Sequence, residues 1–312
     1  MSSTRICLIF GIICAYLLVL LVVVELGFGP NKDHGFATKF QLAEFTQQTA
    51  PKPKNLEYSI SGLRPPLKRT KIEWCSNLKY INPPIEPVAL ASFPGSGNTW
   101  LRYLLQQATG FHTGSVYKDY GLLKNGFPAE SIVNGSVLVV KTHEWGSVAR
   151  RPFAKAVLLV RAPGPAILAE FNRQSGGHIG FASLDRYKRN RGRYWHQFVN
   201  DKLRSWRNTN LDWLRNFTGP THVIFYEQLV QNVENTLKTI LDFLEIPITK
   251  KLFDCAIRRK EGIYRRKRRV LAFDPFTADM KLAMKREQEK VYDEIYTLAS
   301  PAKRKRRRKR KK

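Results

Sequence analysis

The chain has 312 residues, of which 43% are hydrophobic and 12% aromatic. This length and composition are sufficient for a full hydrophobic core, which excludes a small peptide or a wholly disordered chain. Its formal net charge is +28, and ten of these charges form an unbroken run of Lys and Arg at residues 303–312. Without that run the net charge is still +18, so the body is basic in its own right. A basic body suits an anionic ligand, such as a nucleotide, a nucleic acid, or a sulfated or sialylated glycan.

The first predicted element is a membrane span. The nineteen residues from Ile6 to Val24 carry no charge, and as a helix they would measure about 28 Å, close to the thickness of the hydrocarbon layer. We predict a signal-anchor at residues 6–26, with residues 1–5 in the cytosol because Arg5 is the only charged side chain before the span. A cleaved signal peptide is the alternative, but it usually has a shorter apolar region and a small-residue cleavage site. The expected arrangement is a single-pass type II membrane protein.

Residues 27–85 are predicted to form a stem, because proline clusters interrupt any periodicity and apolar residues are sparse. Two sequence triplets have the form of N-glycosylation sites and begin at Asn134 and Asn216. They agree with a lumenal location of the body. Two of the four cysteines lie in the span, which leaves Cys75 and Cys255 on the oxidising side. One disulfide and two buried thiols are both consistent with this pattern.

Residues 86–300 combine short, continuous apolar runs with helical segments, which indicates an α/β domain with a central parallel sheet. The predicted strands are residues 88–93, 137–141, 156–161 and 222–226. The predicted helices are residues 98–109, 195–217 and 228–245. Ligands of such folds bind beyond the carboxyl ends of the strands, so the functional residues are expected there.

The first strand is followed by Pro94-Gly95-Ser96-Gly97-Asn98-Thr99. Small residues let backbone N–H groups approach an anion, and the dipole of a helix that begins at Asn98 favours negative charge. The loop lacks the lysine of G-x-x-x-x-G-K-[ST], so it is not an ATP or GTP loop of that type. A simple tight turn between strand and helix would have a similar sequence.

Three further basic segments lie at or near predicted strand ends. Lys141-Thr142-His143 brings a cation and a candidate base to the same sheet edge as the glycine loop. Arg161 ends the third predicted strand, where it could bind a second phosphate or pair with an acidic neighbour. Arg258-Arg259-Lys260-Glu261-Gly262 comes late in the chain and also has the composition of a solvated charge run.

Together these segments resemble the PAPS-dependent sulfotransferases. The run from Ser92 to Trp100 is similar to their 5′-phosphosulfate loop, P-K-S-G-T-T-W, and Lys141-Thr142-His143 to their K-T-H. Arg161 resembles the arginine of their 3′-phosphate motif, Tyr226-Glu227 their Y-E-x-L segment, and the late basic segment their R-K-G element. The resemblance covers roughly residues 86–265 and implies a P-loop-like three-layer sandwich.

Within this class the chain resembles the membrane-anchored WSCD family. The shared segments are Gly97-Asn98-Thr99-Trp100, Ala108-Thr109-Gly110, Ala169-Glu170-Phe171-Asn172-Arg173 and Gly176-Gly177-His178-Ile179-Gly180. The cysteine-rich WSC domains of that family are not expected here, because the stem carries only Cys75. The resemblance implies a Golgi enzyme that sulfates a terminal sugar of a glycoprotein or glycolipid, with sialic acid as one candidate.

The resemblance also implies roles for individual residues. His143 would accept the proton of an acceptor hydroxyl, and Lys141 would steady the sulfuryl oxygens or the bridging oxygen. The group expected to bind the 5′ end of PAPS is Gly95, Ser96, Gly97, Asn98, Thr99 and Trp100. The group expected to select its 3′-phosphate is Arg161, Arg258, Arg259, Lys260 and Gly262.

Two positions depart from the sulfotransferase pattern. Gly95 stands where the loop usually has a lysine or arginine, and Ala169 stands where many members have a serine for the 3′-phosphate. Lys141 and Arg102 are therefore predicted to supply the missing positive charge. If neither does so, the chain is a pseudoenzyme that keeps only the pocket.

The polybasic tail allows a rival interpretation, a basic binding protein without catalysis. It has the composition of a nuclear-localisation or nucleic-acid patch, but a lumenal body would meet no nucleic acid. We expect a disordered lumenal tail that attracts polyanionic glycans or is trimmed by proteases. Metal is not expected, because C-x-x-C and H-E-x-x-H are absent. His178 lines the acceptor site or marks a turn, and the oligomeric state stays open.

Overall fold

A computed structural model describes residues 72–265 and 271–299. The predicted anchor, most of the predicted stem and the polybasic tail lie outside these residues. Within the described ranges, no helix combines the length and the apolar character that crossing a bilayer requires.

The sheet has five parallel strands, which are β1 (Val88–Ser92), β2 (Gly114–Ser115), β3 (Val140–Thr142), β4 (Lys155–Val160) and β5 (Thr221–Phe225). Their order in the sheet is β2-β3-β1-β4-β5. Strand β1 is central and buried on both faces, which explains its unbroken apolar sequence. Its residue Ala91 lies opposite Thr142 of β3 and Leu158 of β4, so these three strands end at one edge of the sheet.

Helices cover both faces of this sheet. They are α1 (Asn98–Thr109), α2 (Tyr120–Leu123), α3 (Ser147–Arg150), α4 (Pro163–Gly176), α5 (Leu184–Lys188), α6 (Arg193–Asn216), α7 (Tyr226–Gln231), α8 (Val233–Leu244), α9 (Lys250–Arg258) and α10 (Ala278–Ala299). On one face, Ala89 and Ala91 of β1 belong to a core with α4, α6 and α10. On the other face, Leu90 of β1 belongs to a core with α1 and α8. Alternate residues of one strand thus serve two cores, as in a layered α/β domain.

The bounds of two predicted elements need correction, and several elements were not predicted. The helix predicted at residues 228–245 is two helices, because Asn232 leaves the helical conformation and its side chain accepts a hydrogen bond from Asn235 N–H, which caps α8. Strand β3 begins at Val140, later than predicted, although Val137 is buried. Strand β2 was not predicted, because two small residues carry no strand signal.

The boundary of the predicted stem also needs correction. Lys79 pairs with Phe111 in an isolated parallel bridge, and Ile81 is buried in the core beside α1. A disulfide joins Cys75 to Cys255 of α9, with 5.9 Å between their Cα atoms. Residues 72–85 therefore belong to the folded domain, although their prolines and sparse apolar residues suggested a stem.

Candidate active site

The loop between β1 and α1 has the form of an anion cradle. Gly95 and Gly97 have φ of 83° and 98°, a left-handed conformation that favours glycine. The side chain of Ser96 is buried, and its hydroxyl has no hydrogen-bond partner within the described part of the chain. Helix α1 begins directly after the loop, so its first N–H groups, which lack partners inside the helix, point into the same space.

Gly95 is packed against α4 so tightly that no side chain fits. A Cβ atom there would lie 2.3 Å from the carbonyl oxygen of Ala166 and 2.8 Å from the backbone nitrogen of Glu170. The Gly95 carbonyl accepts a hydrogen bond from Arg161 Nη1 at 2.8 Å. The glycine at the usual lysine position therefore reflects a close approach of the loop to a helix.

The side chain of Asn98 points away from the cradle. Its amide donates to the Leu90 carbonyl at 2.9 Å and to Ser92 Oγ at 3.1 Å, which fixes the start of α1 to β1. Only the backbone of Asn98 is placed to meet an anion. Thr99, the next residue, is partly exposed.

His143 follows β3 and faces the end of β1. Its Nδ1 lies 2.8 Å from the carbonyl oxygen of Ser92, and since a carbonyl only accepts, Nδ1 carries the proton and Nε2 has a free lone pair. Burial, followed by the charge of Lys141, lowers the pKa of His143 well below its usual value. The imidazole is therefore neutral at pH 7 and can act as a base.

Tyr117 holds this histidine in place. Its ring stacks on the imidazole with 5.7 Å between ring centroids. The Tyr117 hydroxyl accepts a hydrogen bond from the backbone N–H of His143 at 3.0 Å and donates to Glu144 Oε1 at 2.7 Å. The base is thus positioned by two neighbouring strand ends, a feature that the sequence analysis missed.

Lys141 lies on β3 with only 5% of its surface exposed. Burial, followed by the charge of Arg102, lowers its pKa to about 8. Its Nζ is 5.4 Å from the ring centroid of Tyr117, the residue that also contacts His143. The predicted cation and the predicted base therefore share one neighbour at one sheet edge.

The prediction that Arg102 supplies the missing loop charge is wrong. Its side chain is completely buried and forms an ion pair with buried Glu130. Two further donors bond to Thr113, with Nε on Oγ1 and Nη2 on the carbonyl, each at 2.9 Å. The guanidinium is neutralised inside the domain and has no access to a ligand.

Arg161 lies beside the loop, as predicted. Besides its bond to Gly95, its guanidinium stacks on Tyr226 at 4.1 Å from the ring centroid. Its Nε is buried, and the described residues offer it no hydrogen-bond partner. This arginine therefore keeps a donor for a group that enters the site.

The late basic segment contacts the site mainly through its backbone. The indole of Trp100 donates to the Lys260 carbonyl at 2.7 Å, and the Tyr103 hydroxyl donates to the Arg259 carbonyl at 2.8 Å. The Arg259 guanidinium bonds to Glu73 through Nη1 at 2.8 Å and Nη2 at 3.1 Å. A phosphate role for Arg259 therefore needs correction, because its side chain points to the start of the domain.

Other members of that segment differ. Gly262 has φ of 52° and packs on the ring of Tyr103, where a Cβ would lie 2.6 Å away, so its role is structural. Arg258 ends α9 and is exposed, and Lys260 is partly exposed. Arg265, which the sequence analysis did not single out, has its guanidinium 5.1 Å from the ring of buried Trp100.

Helix α4 contributes a further pair beside the loop. Arg173 donates to Glu170 through Nε at 2.6 Å and Nη2 at 2.8 Å, and Glu170 is buried. His178, in the segment after α4, pairs with Asp119 at 2.7 Å. Residues 169–173 are among the segments that resemble the WSCD family, but the sequence offered no reason to assign a role to Glu170 or Arg173.

The two glycosylation triplets lie on the surface. Asn134 is exposed, and its side-chain oxygen accepts hydrogen bonds from the backbone N–H and hydroxyl of Ser136. Asn216 is the last residue of α6 and is exposed, with its amide bonded to Asp212 at 2.8 Å. Neither position is blocked by burial, and modification of both stays a prediction.

Comparison with known proteins decides the family. Residues 86–290 match the sulfotransferase domain. A WSCD family member from Aedes aegypti is 54% identical over 264 residues, which cover 77% of this chain and 82% of the relative. A WSCD family member from Drosophila melanogaster is 57% identical over 254 residues, which cover 73% and 80%. The chain belongs to the WSCD family.

A solved structure of mouse sulfotransferase SULT7A1 complexed with PAP is also similar, at 17% identity and a TM-score of 0.45. It covers 66% of this chain and 83% of the mouse protein. The WSCD assignment confirms the family inferred from the sequence, and the parallel five-stranded sheet agrees with the sulfotransferase domain that residues 86–290 match.

Proposed function

We propose that this WSCD family protein is a membrane-anchored Golgi sulfotransferase, which transfers a sulfuryl group from PAPS to a hydroxyl of a glycan on a glycoprotein or glycolipid. The sulfotransferase domain supports the reaction class. The observation that carries the proposal is the placement of a neutral His143 and a buried Lys141 at the sheet edge that bears the glycine loop. Sialylated glycans are the first acceptors to test.

The loop fits the donor through groups that lack partners. The Ser96 hydroxyl and the Arg161 Nε are both buried without a hydrogen-bond partner among the described residues, and such groups cost free energy unless a ligand satisfies them. Together with the first N–H groups of α1 they offer donors to phosphate oxygens. PAPS would supply the sulfuryl group and two phosphates at this site.

The acceptor hydroxyl would meet His143. Because Nδ1 is occupied by the Ser92 carbonyl, Nε2 is the nitrogen that takes the proton as the acceptor oxygen attacks. Lys141 would face the sulfuryl oxygens and offset charge there, as preorganised cations do in phosphoryl transfer. Tyr117 keeps both side chains in position.

One observation favours a second candidate function. The usual lysine position is closed by the contact of Gly95 with α4, and loss of one preorganised charge can cost on the order of 10²–10³ in rate. A protein that binds PAPS without turnover is consistent with this loop. The two candidates differ in transfer and agree in donor binding.

The test uses the full-length chain, PAP and labelled PAPS. Calorimetry with PAP measures the donor site, and incubation with [³⁵S]PAPS and sialylated or desialylated glycoproteins and gangliosides measures transfer. We expect Lys141→Ala to abolish transfer while PAP still binds, because the lysine faces the sulfuryl group and not the nucleotide. Exposed Lys281→Ala, in α10, is the matched control.

The outcomes separate the candidates. Binding of PAP without transfer to any acceptor would favour the non-catalytic function. An absence of heat with PAP would exclude both candidates. Transfer by Lys141→Ala at the wild-type rate would contradict the role assigned to this lysine.

Location has its own test. We expect digestion with an N-glycosidase to shift the protein band and staining to coincide with Golgi markers. An unshifted band together with nuclear staining would favour the nucleic-acid interpretation of the tail.

A further inference from the structure

A sulfotransferase site without a loop lysine needs another cation near the transferred group. The candidates predicted from the sequence were Lys141 and Arg102, and Arg102 is neutralised by Glu130 inside the domain. Lys141 would face the sulfuryl oxygens from the side of His143, because both residues contact Tyr117. Arg161, which bonds to the Gly95 carbonyl, is assigned to the phosphates of the nucleotide, so no cation has been assigned to the sulfuryl group on the side that faces Gly95.

The contact that closes the lysine position brings α4 to the loop. Gly95 lies against Ala166 and Glu170, which are successive residues on one face of this helix. Arg173 follows Glu170 on the same face. Because side chains of a helix lean toward its amino terminus, the Arg173 side chain is directed back toward the end of α4 that meets the loop.

Glu170 fixes the Arg173 side chain in that direction. Both carboxylate oxygens accept hydrogen bonds from Arg173, and Gln174 bonds to the same carboxylate at 2.8 Å. An exposed pair of this spacing would contribute little to stability. Here the Glu170 carboxylate is 1% exposed, and a buried carboxylate is retained only when it is paired.

Arg173 still has donors for a ligand. A guanidinium has five N–H groups, and the Glu170 pair uses two of them. The Arg173 side chain is 40% exposed, in contrast to its partner. Its charge also acts on the reaction centre, where it adds to burial in lowering the pKa of Lys141 and of His143.

We propose that Arg173 supplies the positive charge that faces the sulfuryl oxygens, in the absence of a loop lysine, and that Glu170 is the residue that positions it. This inference rests on the proposed sulfotransferase function. In the transfer, the acceptor oxygen bonds to sulfur as the bond from sulfur to the 5′-phosphate oxygen breaks. The acceptor proton moves to His143 Nε2, and the electron pair of the broken bond stays on the 5′-phosphate of PAP.

The test compares the affinities for PAPS and PAP without acceptor, using the full-length chain. PAP lacks the sulfuryl group, so a residue that holds this group affects PAPS binding alone. We expect Arg173→Ala to weaken PAPS binding about tenfold and to leave PAP binding within about twofold. Its turnover with [³⁵S]PAPS and a sialylated mucin should fall on the order of 10²–10³-fold.

Four variants serve as controls. Arg215→Ala removes an arginine near the carboxyl end of α6 whose side chain is similarly exposed, at 46%, and which pairs with Glu294 of α10. This variant should change neither the PAPS affinity nor the PAP affinity. Arg173→Lys should keep part of the PAPS preference, since it keeps the charge. Glu170→Gln should lower the PAPS affinity about threefold without affecting PAP, which a purely structural role would not produce. Adding Gly95→Lys to Arg173→Ala should not restore activity, because that position is closed.

Folding is measured by thermal unfolding of each variant. Arg173→Ala leaves the buried Glu170 carboxylate without its cation, which could prevent folding. In that case the PAPS and PAP affinities are measured on Glu170→Gln/Arg173→Gln, which removes both charges. An unchanged ratio of PAPS to PAP affinity in the folded variant would overturn the inference. If the wild type binds neither PAP nor PAPS, the proposed function fails and the inference fails with it.

Discussion

His143 and Lys141 show how burial prepares two residues of one strand end for different tasks. Burial is the first cause that lowers the pKa of each. For the imidazole, the result is a neutral base with its tautomer fixed by the Ser92 carbonyl. For the lysine, the result is an ammonium that loses its proton at about pH 8. The same environment therefore makes the base available and limits the pH range of the cation.

This difference predicts a pH profile. Lys141 is charged below its pKa of about 8 and neutral above it, so kcat/KM for sulfuryl transfer should fall as the pH rises through about 8. Because the pKa of His143 lies well below its usual value, acid should not reduce the rate between about pH 7 and pH 6.5. The measurement is kcat/KM against pH for wild type and for Lys141→Arg.

Lys141→Arg tests whether Lys141 is the group that titrates near pH 8. Arginine stays protonated throughout this range, so any activity that Lys141→Arg retains should not decline near pH 8. A decline at the same pH in both proteins would show that another group titrates.

Gly95 permits a second prediction at this scale. Alanine at a left-handed position costs about 1–2 kcal/mol, and at Gly95 its Cβ would also collide with the Ala166 carbonyl. Gly146 has φ of 100° but nothing within 4 Å of an added Cβ, so it is the matched control. Gly95→Ala should lower the free energy of unfolding by about 1–3 kcal/mol more than Gly146→Ala. Urea unfolding measures both, and equal losses would disprove the close contact with α4.

At the scale of elements, α1 is joined to the segment before β3 by the buried pair of Arg102 and Glu130. Breaking a buried pair leaves one charge uncompensated, which typically costs about 3–5 kcal/mol, whereas replacing both partners by apolar side chains is far less costly. Arg102→Met should therefore destabilise the domain by about this amount. Arg102→Met/Glu130→Leu should recover more than half of the loss.

Thermal unfolding and PAP calorimetry measure this prediction together. Because Arg102 has no access to a ligand, the folded fraction of either variant should bind PAP with wild-type affinity. A variant that keeps its stability but loses sulfuryl transfer would restore the catalytic role that the sequence suggested for Arg102.

Local signals explain which elements could be predicted. Helix α1 spans Asn98–Thr109, the range predicted, because Gly97 and Gly110 adopt left-handed conformations at its two ends. The division between α7 and α8 was hidden, since Asn232 lies within a continuous helical pattern of apolar residues. Helix α4 begins with Pro163-Gly164-Pro165, which resembles a loop, although proline is favoured in a first helical turn.

The residues of the candidate site also fall into those that could be placed from the sequence and those that could not. Lys141, His143 and Arg161 could be placed because parallel strands end at one edge, so position along the chain gives position in the site. The partners of Arg102 and Arg259 could not be inferred, since Glu130 and Glu73 are 28 and 186 residues away along the chain. Arg173 was overlooked for a related reason, because its relation to the loop depends on the packing of Gly95 against α4.

For the whole molecule, charge is divided between a basic body and a basic tail. Residues 303–312 carry ten of the 28 net positive charges. Such charges attract polyanions over the electrostatic screening length, which salt shortens and which is about 8 Å at physiological ionic strength. The proposed donor site uses residues between Gly95 and Arg173 that have their own hydrogen bonds. We therefore expect the tail to affect polyanion attraction and not nucleotide binding.

A truncated chain that lacks residues 303–312 tests this division. It should elute from heparin at a lower salt concentration than the full-length chain, because fewer cations are left to displace counterions. Its affinity for PAP should stay within about twofold, since a salt-screened charge contributes little to a site that binds through directional hydrogen bonds. Replacing the ten residues by serine and glycine controls for chain length. Unchanged elution would assign heparin binding to the basic body, and a tenfold loss of PAP affinity would place the tail at the donor site.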